Sequence, residues 1–139
     1  LKADLYNSSD IDSAINYCDP DLVMHLAAES HVDRSIDGPR VFMESNIIGT
    51  FNLVEVFRNY FNKNRSHNLK LLHISTDEVF GSLGPEGFFQ ENSPYMPRSP
   101  YSASKAASDH LVNSWYHTYN FPTLITNCCN NFYVGPSLM

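Results

Sequence analysis

Short continuous runs of apolar residues alternate along the chain with longer segments in which apolar residues recur every three or four positions. The runs at 21–28, 69–74 and 121–127 are typical of strands in a parallel sheet that is covered on both faces. Residues 1–5 have a similar character and predict the last part of a further strand. The pattern therefore predicts four strands, the first of them incomplete.

The segments with helical spacing predict three helices between these strands. The first has capping residues at 8–10 and stops by residues 19–20, because the residue before a proline avoids the helical conformation. The second spans 39–61. The third spans 100–119 and begins with a Ser99 cap followed by proline, a pairing that is typical of helix starts.

Strands and helices alternate, which predicts parallel βαβ units. Polar residues at 29–39 predict an irregular connection. Residues 81–99 are too long for a plain turn, and connections of this length are typical of functional loops. We therefore predict an α/β fold with a Rossmann-like, doubly wound parallel sheet and no domain boundary within the chain.

Composition narrows the class of protein. The 139 residues, 42% of them hydrophobic, suit one globular domain, and no apolar run is long enough to cross a bilayer. A net charge of −6 without a basic stripe argues against nucleic acid and anionic membranes as partners. The cysteines Cys18, Cys128 and Cys129 lack metal-site spacing, so we expect a reduced, cytoplasmic protein. His73, inside an apolar strand, is interpreted as a core residue with satisfied hydrogen bonds rather than a metal ligand.

Three candidate stretches lie at the carboxyl ends of the predicted strands, at residues 26–30, 75–78 and 127–131. In a doubly wound sheet, ligands bind outside the carboxyl ends of the strands. The coincidence of the three stretches at such ends predicts a binding site there.

Tyr101 and Lys105 are four residues apart and share one face of the third helix. A nearby ammonium group and the positive end of the helix both favour the phenolate, so this tyrosine is a candidate base for a hydroxyl proton. The alternative is an ordinary surface tyrosine and lysine, since this spacing alone is a weak signal.

Thr76, Asp77 and Glu78 place a hydroxyl and two neighbouring carboxyl groups directly after a strand. One acid can donate a proton while the other removes one, if their surroundings separate their pKa values. The alternative is a solvated turn, which any single Asp-Glu pair also fits.

Several motifs together resemble the extended short-chain dehydrogenase/reductase family, and within it the dTDP-glucose 4,6-dehydratases. The similarity runs from about residue 4 to about residue 131, and the acid pair distinguishes these dehydratases from the related epimerases. The matching motifs are HLAAESHVDRS at 25–35, NIIGT at 46–50, ISTDEV at 74–79, SPYSASK at 99–105 and TNC at 126–128.

The resemblance implies an NAD-dependent lyase that needs no metal. NAD⁺ takes hydride from C4 of the glucose while Tyr101 takes the hydroxyl proton, Lys105 tunes Tyr101, and Thr76 hydrogen-bonds the same oxygen. Glu78 removes the C5 proton and Asp77 protonates the departing C6 hydroxyl. Hydride then returns to C6, which gives dTDP-4-keto-6-deoxyglucose.

The resemblance also implies binding residues. Tyr101 and Lys105 are expected to contact the cofactor, and Thr76 the substrate. The other cofactor positions are Asp4, Leu5, Leu26, Ala27, Ala28, Ser45 and Asn131. The other substrate positions are Ser30 and Asn130.

Two features depart from the family pattern. No G-x-x-G-x-x-G loop occurs, so residues 1–139 correspond to the central part of an NAD-binding Rossmann-like domain that lacks the first βαβ unit and the C-terminal substrate domain. Without the pyrophosphate anchor, we expect the isolated chain to bind NAD⁺ poorly. The segment 130–136 is two residues longer than the family's Asn-Asn-Tyr-Gly-Pro.

Other functions stay open at this point. They are a dehydratase for another nucleotide sugar, a 4-epimerase, and a catalytically silent fragment. The resemblance further implies a homodimer of the full-length protein, joined through helices at about 40–61 and 100–119. Phe51, Phe57 and Trp115 suit either that interface or the core.

Overall fold

The computed structural model describes residues 1–64 and 69–129. Its centre is a parallel sheet of three strands in the order β1-β2-β3, with bounds β1 Leu22–His25, β2 Lys70–Thr76 and β3 Thr123–Cys128. Met24 pairs with Leu72, and Leu72 pairs with Leu124. The predicted α/β class with a parallel sheet is therefore confirmed.

Helices separate the strands along the chain. Between α3 and α4 the helix continues through a π-helical segment, and a 3₁₀ turn follows β2. The bounds are α1 Ser8–Cys18, α2 Val32–Asp37, α3 Pro39–Phe42, the π-helical segment Met43–Ile48, α4 Gly49–Lys63, the 3₁₀ turn Asp77–Phe80 and α5 Pro100–Tyr119.

Four local predictions were wrong. Residues 1–4 are irregular and Leu5 begins a turn, because the described part of the chain offers them no neighbouring strand. The cap of α1 is Asn7, whose side chain accepts from the Ser9 amide. Strand β1 stops at His25, and residues 26–28 are irregular. The connection at 29–39 contains α2.

The core lies on one face of the sheet, where α1, α4 and α5 pack against alternate strand residues. Its buried members are Ile11, Ile15, Leu53, Val54, Val56, Phe57, Tyr60, Leu69, Leu71, Val112 and Phe121. Phe57 has no exposed surface, so it belongs to this core and not to an interface.

The other face of the sheet is open in the part of the chain that the structure describes. Leu22, Met24 and Leu124 point there, with exposed fractions of 50%, 53% and 56%. The prediction that both faces are covered therefore fails within these residues. The continuous apolar runs predicted helices on both faces of the sheet, but the helices of the described residues pack only on the face that holds the core.

The start of α5 is as predicted. Ser99 caps the helix by accepting from the Ser102 amide, the Ser102 hydroxyl accepts from the Ser99 amide, and Pro100 is in the first turn. This capping box fixes the helix start and so the position of Tyr101, the second residue of the same first turn.

Candidate active site

The three candidate stretches meet at one edge of the sheet. All three strands run in the same direction, and they end at His25, Thr76 and Cys128. Ser75 pairs with Asn127 in the register of β2 and β3. The predicted gathering of 26–30, 75–78 and 127–129 at the carboxyl edge is thus present.

Asn130 and Asn131 lie outside the described residues. Among the other predicted positions, Asp4 and Ser30 are exposed. Ser45 is half-buried within the π-helical segment.

Leu26, Ala27 and Ala28 leave the end of β1 with their side chains exposed. They form an accessible, mainly apolar strip beside the polar turn after β2. Leu5 is half-buried, and a Cβ added to Gly49 would lie 3.1 Å from the Leu5 Cβ. This close approach seats the N-terminal segment against α4.

The turn after β2 carries the hydroxyl and the two acids. The Thr76 hydroxyl accepts from the Glu78 amide at 3.3 Å, which caps the 3₁₀ turn, and lies 3.4 Å from Asp77 Oδ1. Burial, and then the charge of Asp77, raises the pKa of the Glu78 carboxyl. Glu78 is therefore a stronger base than an isolated glutamate.

Tyr101 is held from three sides. Its backbone amide donates to the Ser35 hydroxyl at 3.1 Å, and its ring meets Phe42 edge-on with ring centroids 6.4 Å apart. Only 8% of the residue is exposed, and the charges of Glu78 and Asp77 and the Thr76 hydroxyl all influence the pKa of the phenol. The phenol thus lies at the acid-bearing turn.

The expected lowering of the Tyr101 pKa is wrong for this structure. Burial raises the pKa of Tyr101, and the charges of Glu78 and Asp77 add to this, against the hydrogen bond with Thr76. Lys105 does not offset the rise, because its ammonium group donates to the carbonyl of Ile74 at 2.8 Å. The shared helix face predicted proximity correctly but not the direction of the ammonium group.

Four residues that sequence reasoning missed support the site. The Ser35 hydroxyl accepts a hydrogen bond from the Tyr101 amide. Asn46, in the π-helical segment, accepts from the Glu29 amide at 2.9 Å and donates to the Ser104 hydroxyl at 2.8 Å. The other two are Asp109 and Tyr95, whose phenol donates to the Asp109 carboxylate at 2.9 Å. Asp109 offered a signal, since it follows Lys105 by one helical turn in a segment rich in small residues.

A cavity of about 600 Å³ opens beside Asp77, between the loop after the 3₁₀ turn and the end of β3. Apolar side chains such as Phe80 and Phe89 and polar groups such as Gln90 and Asn127 line it. Gly81 follows Phe80 in the chain. Gly81 has a φ of +93°, and a Cβ there would lie 2.6 Å from the Met96 carbonyl oxygen.

Residues 1–64 and 69–129 contain no group of three or more His, Cys, Asp or Glu side chains that can hold a metal ion. None of the helices in those ranges combines the length and apolarity needed to cross a membrane. His73 is fully buried as expected, but within the same ranges its ring nitrogens lack well-aligned hydrogen-bond partners.

A parallel Rossmann-type sheet with a Tyr-x-x-x-Lys helix against the polar ends of its strands defines the extended short-chain dehydrogenase/reductase class. The model of one family within this class, described as GDP-mannose 4,6 dehydratase, matches residues 1–136. The chain belongs to that family.

Two relatives in sequence are dTDP-glucose 4,6-dehydratases. The protein from Xanthomonas campestris is 49% identical over 139 residues, covering 98% of this chain and 39% of the relative. The protein from Salmonella typhimurium is 50% identical, covering 96% of this chain and 40% of the relative. The chain thus spans about two-fifths of the length of these relatives.

Solved structures agree with this placement. A dTDP-glucose 4,6-dehydratase from Streptomyces venezuelae, with NAD bound, superposes with a TM-score of 0.83 at 40% identity, covering 96% of this chain and 38% of that one. A UDP-glucose 4-epimerase from Thermus thermophilus, in complex with NAD, gives 0.81 at 29% identity, covering 90% and 39%. Both enzyme types share the fold, so the side chains of the site must distinguish them.

Proposed function

We propose that this chain, with its natural flanking sequence, forms an NAD-dependent dTDP-glucose 4,6-dehydratase. The observation that carries the proposal is the Thr76-Asp77-Glu78 turn, which places two carboxyl groups beside the Tyr101 phenol. An epimerase needs the tyrosine but no acid pair. The names of relatives at about 50% identity support the same reaction.

We place the NAD⁺ cofactor at the accessible edge of the sheet. The exposed strip of Leu26, Ala27 and Ala28 offers apolar contact to a flat ring system, and Tyr101 and Lys105 close the same edge. When bound, NAD⁺ supplies the hydride acceptor for C4 and the hydride donor for C6. Asp4, Leu5, Ser45 and the undescribed Asn131 are proposed as further contacts.

Tyr101 is proposed as the base for the C4 hydroxyl. Because burial raises its pKa, the phenol is a firmly protonated donor until a positive charge approaches. The charged ring of the bound cofactor would supply that positive charge. Lys105, whose ammonium group donates to the Ile74 carbonyl in this structure, is proposed to contact the cofactor. Thr76, whose hydroxyl influences the pKa of the phenol, is proposed to share the hydrogen bond to the C4 oxygen. Ser30 and Asn130 are proposed substrate contacts.

Glu78 is proposed to remove the C5 proton once C4 is a ketone, because the ketone makes that proton acidic. Its raised pKa improves the match between base and carbon acid. Asp77, the neighbouring acid, is proposed to protonate the C6 hydroxyl as it leaves. Asp77 and Glu78 lie on the turn that directly follows Thr76. The residues proposed for elimination and for oxidation at C4 therefore meet at the end of β2.

The test uses the protein with its natural flanking sequence, incubated with dTDP-glucose while the sugar nucleotide is followed by mass. We expect loss of one water, and at least a ~100-fold slower loss in Glu78→Gln. Glu86→Gln, an exposed glutamate in the following loop, is the matched control and retains activity.

Other results redirect the assignment. An unchanged mass with conversion to the 4-epimer favours an epimerase. No reaction from a folded protein that holds NAD⁺ favours another nucleotide sugar or an idle site. The isolated 139 residues are expected to bind NAD⁺ poorly, since they carry no glycine-rich phosphate loop.

We further propose a cytoplasmic homodimer. Phe51 is 41% exposed and meets Trp115 edge-on at 5.9 Å, and Tyr119 extends this surface across the outer faces of α4 and α5. Phe51→Glu is expected to convert the dimer to a monomer in light scattering. Free thiols at all three cysteines support the reducing compartment.

A further inference from the structure

Asp109 is the most deeply buried carboxylate near the site, with 1% of the residue exposed. Its Oδ2 accepts from the Ser75 hydroxyl at 2.6 Å and from the Tyr95 phenol at 2.9 Å, while the Asn127 amide lies 3.5 Å away. These donors come from β2, the 81–99 loop and β3. One carboxylate therefore joins α5 to two strands and to the loop.

Lys105 and Asp109 contact adjacent residues of β2. Lys105 donates to the Ile74 carbonyl, and Asp109, one helical turn later, accepts from the Ser75 hydroxyl. Lys105 is only 5% exposed, so its ammonium group has lost most of its water. A buried ammonium group with one carbonyl acceptor requires a nearby negative charge to stay protonated.

We infer that Asp109 is a positioning residue of the proposed dehydration: its carboxylate is the buried counter-charge of Lys105 and fixes the Tyr101–Lys105 helix against the strand ends. The inference rests on the proposed function for its catalytic consequence. Its structural part concerns only residues of this chain.

The electrostatics agree with that geometry. Burial lowers the pKa of the Lys105 ammonium group, and the charge of Asp109 opposes this. Among the described residues, Asp109 is the anion whose charge raises the pKa of Lys105. His73 Nε2 lies 3.2 Å from Asp109 Oδ1 without the alignment of a good hydrogen bond, and burial, with the charge of Lys105 among the smaller causes, lowers the pKa of His73.

The titratable groups around this pair come from each packed element. Burial raises the pKa of Tyr95 to about 12, so its phenol stays a neutral donor to Asp109. Among the described residues, the titratable groups that interact with the pair are Tyr101 on α5, His25 on β1, His73 on β2 and Tyr95 in the loop. The charges of Asp77 and Glu78 on the 3₁₀ turn act on Tyr101.

The first experiment is a thermal double-mutant cycle on the protein with its natural flanking sequence. Asp109→Asn keeps the shape of the side chain and removes its charge. We expect it to lower the unfolding temperature by roughly 5–10 °C when Lys105 is present, because it leaves an unpaired buried charge. In a Lys105→Met background the same change is expected to cost less than half as much.

The second experiment separates positioning from support of the fold. Asp109→Asn is expected to lower kcat about 10–100-fold with KM for dTDP-glucose changed by less than about twofold. The alkaline limb of the kcat profile moves to lower pH, because Lys105 loses its proton earlier. Tyr95→Phe removes one neutral donor and is expected to leave that limb in place.

Two results overturn the inference. An equal loss of unfolding temperature in both backgrounds shows that Asp109 serves only Ser75, Tyr95 and Asn127. An unmoved alkaline limb in an active Asp109→Asn protein shows that it does not set the charge of Lys105. If dTDP-glucose is not turned over, the proposed function fails, while the thermal cycle still decides the counter-charge.

Discussion

Two histidine rings, His25 and His73, lie against each other beneath the site. Their centroids are 5.0 Å apart, and His25 Nε2 is hydrogen-bonded to the Thr50 hydroxyl at 2.9 Å. Burial lowers the pKa of both rings, to about 3 for His25. Both are therefore neutral at pH 7, and protonation must oppose the fold.

This protonation predicts acid sensitivity. In the unfolded chain His25 is protonated below about pH 6.5, whereas in the folded chain it stays neutral until about pH 3. The free energy of unfolding therefore falls as the pH drops through this window. At pH 5 the loss is about 2 kcal/mol for one such histidine. Urea unfolding at pH 7 and pH 5 is expected to show a smaller loss in His25→Gln.

His110→Gln is the matched control for this comparison, because His110 is exposed. It is expected to lose as much stability between the two pH values as the unmodified chain. An equal acid loss in His25→Gln would contradict the assignment of the effect to the buried ring.

Gly81 gives a second prediction at the residue scale. Its φ of +93° and the 2.6 Å approach of a Cβ to the Met96 carbonyl oxygen both oppose any side chain. Gly81→Ala is expected to lower the free energy of unfolding by about 2–3 kcal/mol in urea titrations. Gly84→Ala is the control, since nothing lies within 4 Å of a Cβ there.

At this scale the sequence located the reactive groups but not their surroundings. The spacing of Tyr101 and Lys105 predicted one helix face, which the structure has. The raised pKa of Tyr101 depends on burial between Phe42, Ser35 and Thr76, which are distant in the chain. Local spacing carries no information on such burial.

Helix α5 is stabilised at its N-terminus by the Ser99 cap. Ser99 accepts from the Ser102 amide at 3.0 Å, and Tyr101 lies between them in the chain. Ser99→Ala is expected to lower the free energy of unfolding by about 1 kcal/mol in urea titrations, because an amide loses its partner. Ser114→Ala, an exposed change in the same helix, is expected to have almost no effect; equal losses would refute the capping role.

Helices with strong end signals were predictable, and irregular ones were not. Pro100 and Ser99 gave the start of α5 correctly. The π-helical segment Met43–Ile48 escaped prediction because its apolar spacing resembles that of an α-helix. The six-residue helix α2 escaped because no side chain caps it and its residues are mostly polar.

The whole molecule has one packed face and one open face. Leu71 points into the core with no exposed surface, whereas Leu124 on the neighbouring strand is 56% exposed on the other face. In the 139-residue chain, Leu124→Lys is expected to change the free energy of unfolding by less than about 1 kcal/mol. Leu71→Lys is expected to prevent folding, because it buries an unpaired charge.

Circular dichroism and urea titration of the two variants test this difference. Repeating Leu124→Lys with the natural flanking sequence present extends the test. A much larger loss there would show that further sequence covers this face, and an equal, large loss in the short chain would contradict the open face itself.

At this scale the parallel sheet was predicted correctly, as was the meeting of the strand ends at one edge. The strand runs gave the order of elements, and the alternation of helices gave the parallel direction. The prediction that both faces of the sheet are covered was wrong. The apolar content of a strand shows that it can pack on both faces, but it does not show whether other elements are present to pack there.

The open face also affects how the molecule behaves toward small probes. Dyes that fluoresce on apolar surfaces bind where Leu22, Met24 and Leu124 are accessible, so the folded 139-residue chain is expected to give a strong signal before any heating. Such a dye would then report loss of a binding surface on unfolding, and the melting curve would fall where that of most proteins rises.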